Sequence, residues 1–233
     1  MPTGRLFLIP VPIAEGVLSS LSADVMTHTE NLRYYVAENA RSARRFLRSI
    51  HADLVLEDVT ISEIDKHKGM DTATFKKWLK EGKDVGMLSE AGCPGIADPG
   101  AELAAIAQYM GAQVIPVTGP NSIMLALMGS GLNGQSFCFN GYLPVKDPDR
   151  GLRIKALEQL SRKENQTQIF IETPYRNDGL FADLLKNCDD TTRICIAKDI
   201  TSPDAFIRTK TVIYWKQQVP VIGKVPAVFL LLA

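Results

Sequence analysis

The chain has 233 residues, 26 Lys+Arg against 26 Asp+Glu, and is 45% hydrophobic and 7% aromatic, a composition that excludes disorder over most of its length. A chain of this size buries roughly 70–75% of the surface it exposes when unfolded, so it needs neither disulfide nor metal as a staple. A formal net charge of zero excludes a wholly basic nucleic-acid binder and leaves room for a local basic patch.

The opening Met1-Pro2-Thr3-Gly4-Arg5 leads into only about eight apolar residues without the small-residue cleavage site of a signal sequence, and no other stretch approaches the roughly 18 apolar residues of a membrane span. Within it, Leu6–Ile9 is a predicted strand. Arg33–Ala37 is the next strand and Ala40–Ile50 the helix after it. Helix Thr72–Glu81 precedes a buried-type strand, Val85–Leu88, then helix Ala101–Met110 and strand Gln113–Val117. The turn residues of Val117-Thr118-Gly119-Pro120-Asn121 place a domain boundary there, giving domains 1–117 and 118–233. The second domain reads as helix Ser122–Met128, strand Phe137–Asn140, helix Arg153–Ser161, strand Gln168–Ile171, helix Leu180–Asn187 and strands Arg193–Ala197 and Ala227–Leu232. Continuous apolar strands alternating with helical patterns predict α/β architecture, with strands covered on both faces.

Cys93, Cys138, Cys188 and Cys195 form no C-x-x-C pair, and the histidines are only His28, His51 and His67. Neither a metal site nor a disulfide framework is expected, and the chain reads as reduced and cytoplasmic. Ser89-Glu90-Ala91-Gly92-Cys93-Pro94-Gly95-Ile96-Ala97-Asp98-Pro99-Gly100 joins a strand's carboxyl end to a helix, which Asp98 is expected to cap with Pro99 in its first turn. In open α/β sheets such strand ends leave a ligand crevice, although Gly and Pro also build ordinary turns. Pro116 to Ser122 is a second loop of this kind, in which Asn121 or Ser122 can cap the next helix or meet a small ligand. Neither loop matches a dinucleotide fingerprint or a P-loop. Arg41, Arg44, Arg45 and Arg48 recur at helical spacing opposite Ala43, Phe46, Leu47 and Ile50, a guanidinium row suited to the phosphates of RNA or another polyanion, or to a solvated face. Glu172-Thr173-Pro174-Tyr175-Arg176, after a strand, can line a pocket or close a salt-bridged turn.

Together these motifs resemble the tetrapyrrole (corrin/porphyrin) methylase family, and within it the branch of ribosomal-RNA small-subunit cytidine 2'-O-methyltransferases. Pro10-Val11-Pro12-Ile13 resembles that branch's T-P-I-G-N-L opening, Ala37-Glu38-Asn39-Ala40-Arg41 its A-E-D-T-R, Ser89 to Gly100 its S-D-A-G-T-P-x-I-x-D-P-G, Pro116 to Ser122 its P-L-P-G-P-S, Asn140 to Pro144 its E-G-F-L-P, and Phe170 to Arg176 its F-Y-E-S-P-H-R. The resemblance implies two α/β domains with S-adenosylmethionine in the cleft between them and a homodimer as the assembly. Carried over position by position, the cofactor residues are Pro10, Ser89, Glu90, Ala91, Gly92, Ile96, Asn121, Ser122, Glu172 and Ala197. Asn39 replaces an acid, Glu90 an aspartate, and Ala14-Glu15-Gly16 the G-N-L of the opening, which marks a divergent subgroup. No further RNA-binding domain is expected after the last strand.

The expected activity is methyl transfer from S-adenosylmethionine to a ribose 2'-hydroxyl of ribosomal RNA, with Glu38 as the base, Glu90 second, and Arg41, Arg44 and Arg45 on the RNA phosphates. The alternatives are tetrapyrrole C-methylation and a non-catalytic S-adenosylmethionine sensor.

Overall fold

The computed structural model describes residues 2–65 and 69–233, so Met1 and His67 lie outside it. The chain divides into two compact units, residues 1–121 and 122–233. Among the described residues, no helix is long and apolar enough to cross a membrane.

In the first unit the strands are β1 (Leu6–Ile9), β2 (Tyr34–Ala37), β3 (Thr60–Glu63), β4 (Val85–Leu88) and β5 (Val114–Pro116), all parallel in the order β3-β2-β4-β1-β5. Helices α1 (Ala23–Asn31) and α2 (Ala40–Ile50) cover one face, where Val25, Ala43, Phe46 and Leu47 meet Phe7, Ile9 and Tyr35. On the other face, α3 (Thr72–Lys80) and α4 (Ala101–Tyr109) bring Phe75, Trp78, Leu79, Leu103 and Ala107 onto Leu6, Val36, Val85 and Met87. Burial on both sides is why β1 and β4 read as unbroken apolar runs. Two elements went unread for the opposite reason: α1 buries only Val25 and Thr29, and the edge strand β3 buries none of its four residues.

The expected cap of α4 is a correction. The helix starts at Ala101 with Gly100 in the capping position at φ 130° and no side chain capping it. Asp98 and Pro99 instead belong to the preceding turn, where the Gly95 N–H donates to the Pro99 carbonyl at 3.1 Å.

The second unit holds α5 (Ser122–Ser130), β6 (Phe137–Tyr142), α6 (Asp149–Glu164), β7 (Thr167–Ile171), α7 (Asn177–Asn187), β8 (Arg193–Lys198), β9 (Phe206–Thr211), α8 (Val212–Gln217) and β10 (Ala227–Leu232). Its sheet runs β6-β7-β10-β8-β9, parallel only between β6 and β7. Helix α5 packs Ile123, Ala126 and Leu127 on one face, while α6, α7 and α8 pack Ile154, Leu157, Phe181, Leu184 and Trp215 on the other. A strand covered twice is apolar throughout whichever way its neighbours run, so composition carries no strand direction. Edge strand β9, with Arg208 and Lys210 exposed, and the six-residue α8 were also not expected.

Candidate active site

Parallel pairing brings four strand ends of the first unit to one edge of its sheet. Ile9 and Ala37 both lie beside Leu88, and Leu8 lies beside Pro116. The residues that follow are Pro10, Glu38, Ser89 and Val117. The chain leaves β1 and β2 toward α1 and α2 but leaves β4 toward α4 on the opposite face, so the loops part around the end of β4 and open a crevice.

Main-chain contacts tie these loops together. Val11 and Gly92 exchange both hydrogen bonds, Val11 N–H donating to the Gly92 carbonyl at 2.9 Å and Gly92 N–H to the Val11 carbonyl at 3.1 Å. The Cys93 thiol donates to the Pro120 carbonyl at 3.3 Å and is hydrogen-bonded with the Asn121 side chain. Pro10 lies so close beneath Gly119 that a Cβ built there would sit 2.1 Å from the Pro10 Cγ. Pro10, Ser89 and Gly92 are buried, Asn121 is half-buried, and Glu90, Ala91 and Ile96 are exposed. The thiol's role was not legible, because at that position the family motif carries threonine and a lone cysteine has no partner in the sequence.

Glu38 follows β2, and its Oε1 accepts the Glu90 N–H at 3.1 Å. Burial pushes the Glu38 carboxyl up, partly offset by that hydrogen bond, and the charge of Glu90 pushes it further. Asn39 caps α2, accepting from the Arg41 and Ser42 N–H groups at 2.9 and 3.0 Å. Amide and carboxylate cap a helix about equally well, which accounts for Asn39 at a position where the family has an acid. Arg41, Arg44 and Arg45 are exposed along α2, and Arg45 pairs with Glu15 at 3.1 Å.

Asp98, which does not cap α4, has its carboxyl pushed up to about 6 by burial and then by the charges of Glu38 and Glu90. A folded value above the unfolded one, about 3.9, means that ionising Asp98 weakens the native state as pH rises through about 6. Asp98→Asn is therefore expected to stabilise the protein at pH 8 by about 1–2 kcal/mol, after discounting for solvent access, and to be nearly neutral at pH 4. Urea unfolding of both proteins at the two pH values checks it. Equal gains at both would exclude ionisation as the cause.

Three of the expected cofactor residues belong to the second unit. Ser122 opens α5. Ala197 is fully buried in β8, its side chain in the core beneath α5. Glu172, after β7, has a side chain only 1% exposed, with Oε1 accepting from Arg176 and from the Thr173 N–H, both at 2.7 Å, and Oε2 lying 3.5 Å from Arg150. Burial pushes the Glu172 carboxyl up, but these hydrogen bonds and the two guanidinium charges outweigh it and hold the group below the ordinary range. Glu172 is thus salt-bridged within its turn.

A family profile described as tetrapyrrole (corrin/porphyrin) methylases matches residues 21–213. The chain is 30% identical over 205 residues to ribosomal RNA small subunit methyltransferase I of Buchnera aphidicola, covering 88% of this chain and 68% of that one. It is 28% identical over 224 residues to the protein of the same name from Bacillus subtilis, covering 95% and 73%. Among solved structures it resembles the methyltransferase CobJ, with a TM-score of 0.65 at 18% identity over 99% of this chain and 94% of that one. It also resembles the uroporphyrin-III-C-methyltransferase of Thermus thermophilus, at 0.54 and 17% over 98% and 92%. At such identities the structural likeness speaks for the fold alone. With the profile spanning most of both units, the chain belongs to the tetrapyrrole (corrin/porphyrin) methylase family and is an S-adenosylmethionine-dependent methyltransferase.

Proposed function

We propose that this methyltransferase acts on a ribose 2'-hydroxyl of ribosomal RNA, in the cytoplasm and as a homodimer. The observation that carries the acceptor is similarity over most of the chain to proteins named ribosomal RNA small subunit methyltransferase I. A row of exposed arginines beside the strand-end crevice supports it.

The residues present fit the cofactor: buried glycine at Gly92, where φ is 72°, lets main chain form the wall of the crevice without a side chain in the way. The proposed cofactor set is Pro10, Ser89, Glu90, Ala91, Gly92, Ile96 and Asn121, with Ser122, Glu172 and Ala197 from the second unit. Bound there, S-adenosylmethionine supplies a methyl group already activated on a sulfonium. The protein's own contribution is alignment of the acceptor and removal of its proton. Glu38 is the proposed base, because it stands at the strand-end crevice and a carboxyl raised by burial holds a proton more readily than an exposed one. Glu90, exposed beside it, is the second candidate.

Methyl transfer from labelled S-adenosylmethionine to an unmodified small-subunit ribosomal RNA transcript tests this reading. The expected product is an alkali-resistant 2'-O-methyl nucleotide, and label entering uroporphyrinogen but not RNA would overturn it. Changing Arg41, Arg44 and Arg45 together to Ala is expected to flatten the log-log salt dependence of RNA binding by about two to three units, through lost counterion release. Calorimetry should show S-adenosylmethionine affinity unmoved. An unchanged slope would reduce the row to a solvated helix face.

A further inference from the structure

A cavity of about 470 Å³ lies in the first unit between the loop after β1, the outer side of α2 and the start of the loop after β4. Its volume falls within the roughly 300–1,000 Å³ of small-ligand sites. Ile13, Leu18 and Phe46 give it apolar walls, and Ser42, Ser49 and Glu90 give it polar groups. Ser42 and Ser49 stand seven residues apart on one face of α2, and the Ser49 hydroxyl is satisfied by the Phe46 carbonyl at 2.7 Å. At the rim stand Glu15 and Arg45, paired at 3.1 Å with side chains 82% and 71% exposed. Glu15 occupies one of the positions where this chain departs from the T-P-I-G-N-L opening.

We propose that this cavity holds one unstacked nucleotide of the acceptor RNA, with its base between the apolar walls and its phosphate on Arg45, released from Glu15. The inference rests on the RNA reading above and adds the place and form in which RNA is gripped. Three features point to a nucleotide and not to a purely apolar ligand. Apolar walls that include the Phe46 ring suit the faces of a base. The Ser42 and Ser49 hydroxyls offer partners to its polar edge. The cation at the rim sits next to Arg41 and Arg44, for which no acidic partner occurs among the described residues, so a strand leaving the cavity along α2 continues onto positive charge. The Glu15–Arg45 pair is a solvent-exposed one, cheap to break, and exchanging carboxylate for phosphate keeps the guanidinium partnered.

The test combines equilibrium binding of the small-subunit transcript with calorimetry for S-adenosylmethionine. Ser49→Trp, which fills the cavity from an exposed helix position, is expected to weaken RNA binding about tenfold or more and to raise the KM for RNA while leaving cofactor affinity within twofold. Ser42→Leu fills the same space from the preceding turns and takes its place if the Trp variant does not fold. Glu15→Ala removes the competitor for Arg45 and is expected to tighten RNA binding about threefold at low salt. Unchanged RNA affinity in the filled variants would overturn the assignment, as would unchanged or weaker binding by Glu15→Ala. Loss of S-adenosylmethionine binding on filling the cavity would give the space to the cofactor and also overturn it. If the wild-type protein binds the transcript and transfers no methyl, the acceptor reading fails while these binding comparisons still decide the cavity.

Discussion

Arg150→Ala is expected to cost the second unit about 3–5 kcal/mol, because it removes the donor to two main-chain carbonyls and to Asp183 and leaves the buried Glu172 carboxylate with Arg176 as its one remaining cation. Arg150 is only 5% exposed. It donates to the Pro144 carbonyl at 2.7 Å, to the Val145 carbonyl, and to Asp183 at 3.0 Å, and it lies 3.5 Å from Glu172. One guanidinium thus joins the end of β7, helix α7 and the segment leading into α6. Trp215 lies in the second unit and Trp78 in the first, so urea unfolding followed by fluorescence in a Trp78→Phe background reports the second unit alone. A loss below about 1 kcal/mol would show the network to be no stronger than an exposed pair. The pH dependence has a fixed sign. Glu172 is held below the ordinary carboxylate range, so the stability it contributes is present above its unfolded value of about 4.3 and is lost as pH falls through its lower folded value. In Arg150→Ala that acid-side loss should shrink.

Gly92→Val is expected to weaken S-adenosylmethionine binding by about a hundredfold or more, equivalent to about 2.7 kcal/mol. At φ 72° a β-branched residue is sterically strained. A Cβ there would also sit 3.4 Å from the Pro120 carbonyl and 3.9 Å from Ile13, so the branch beyond it presses apart the loops after β4 and β5. The Val11–Gly92 hydrogen bonds then give way, and with them the main-chain wall of the crevice. No side chain between Ser89 and Gly100 belongs to a core cluster, and the variant should still unfold cooperatively. Calorimetry checks the affinity and thermal unfolding the fold; retained affinity would move the cofactor away from this loop.

Much of this architecture is legible in the sequence. Strands β1, β4 and β10 announce themselves by unbroken apolar runs, and the two faces of α2 by helical spacing, because burial is recorded directly in residue type. The loop from Ser89 to Gly100 is legible too, since glycine and proline are placed by local backbone needs. Elements that bury little, α1, β3 and β9, leave no such record. Nor does Asn39 reveal its cap, because a capping side chain reads the same as any surface amide.

By itself, then, the sequence determined the elements with buried faces, the strand-to-helix loops and the family, all of which depend on properties of single residues and their near neighbours. Only tertiary structure decided that β8 and β10 run antiparallel, that Glu172 is held between Arg150 and Arg176, that Asp98 is pressed by Glu38 and Glu90, and that Glu15 closes on Arg45. Each of these joins residues distant in the chain, and a distance through space is set by how the whole chain packs, not by which residues stand side by side along it.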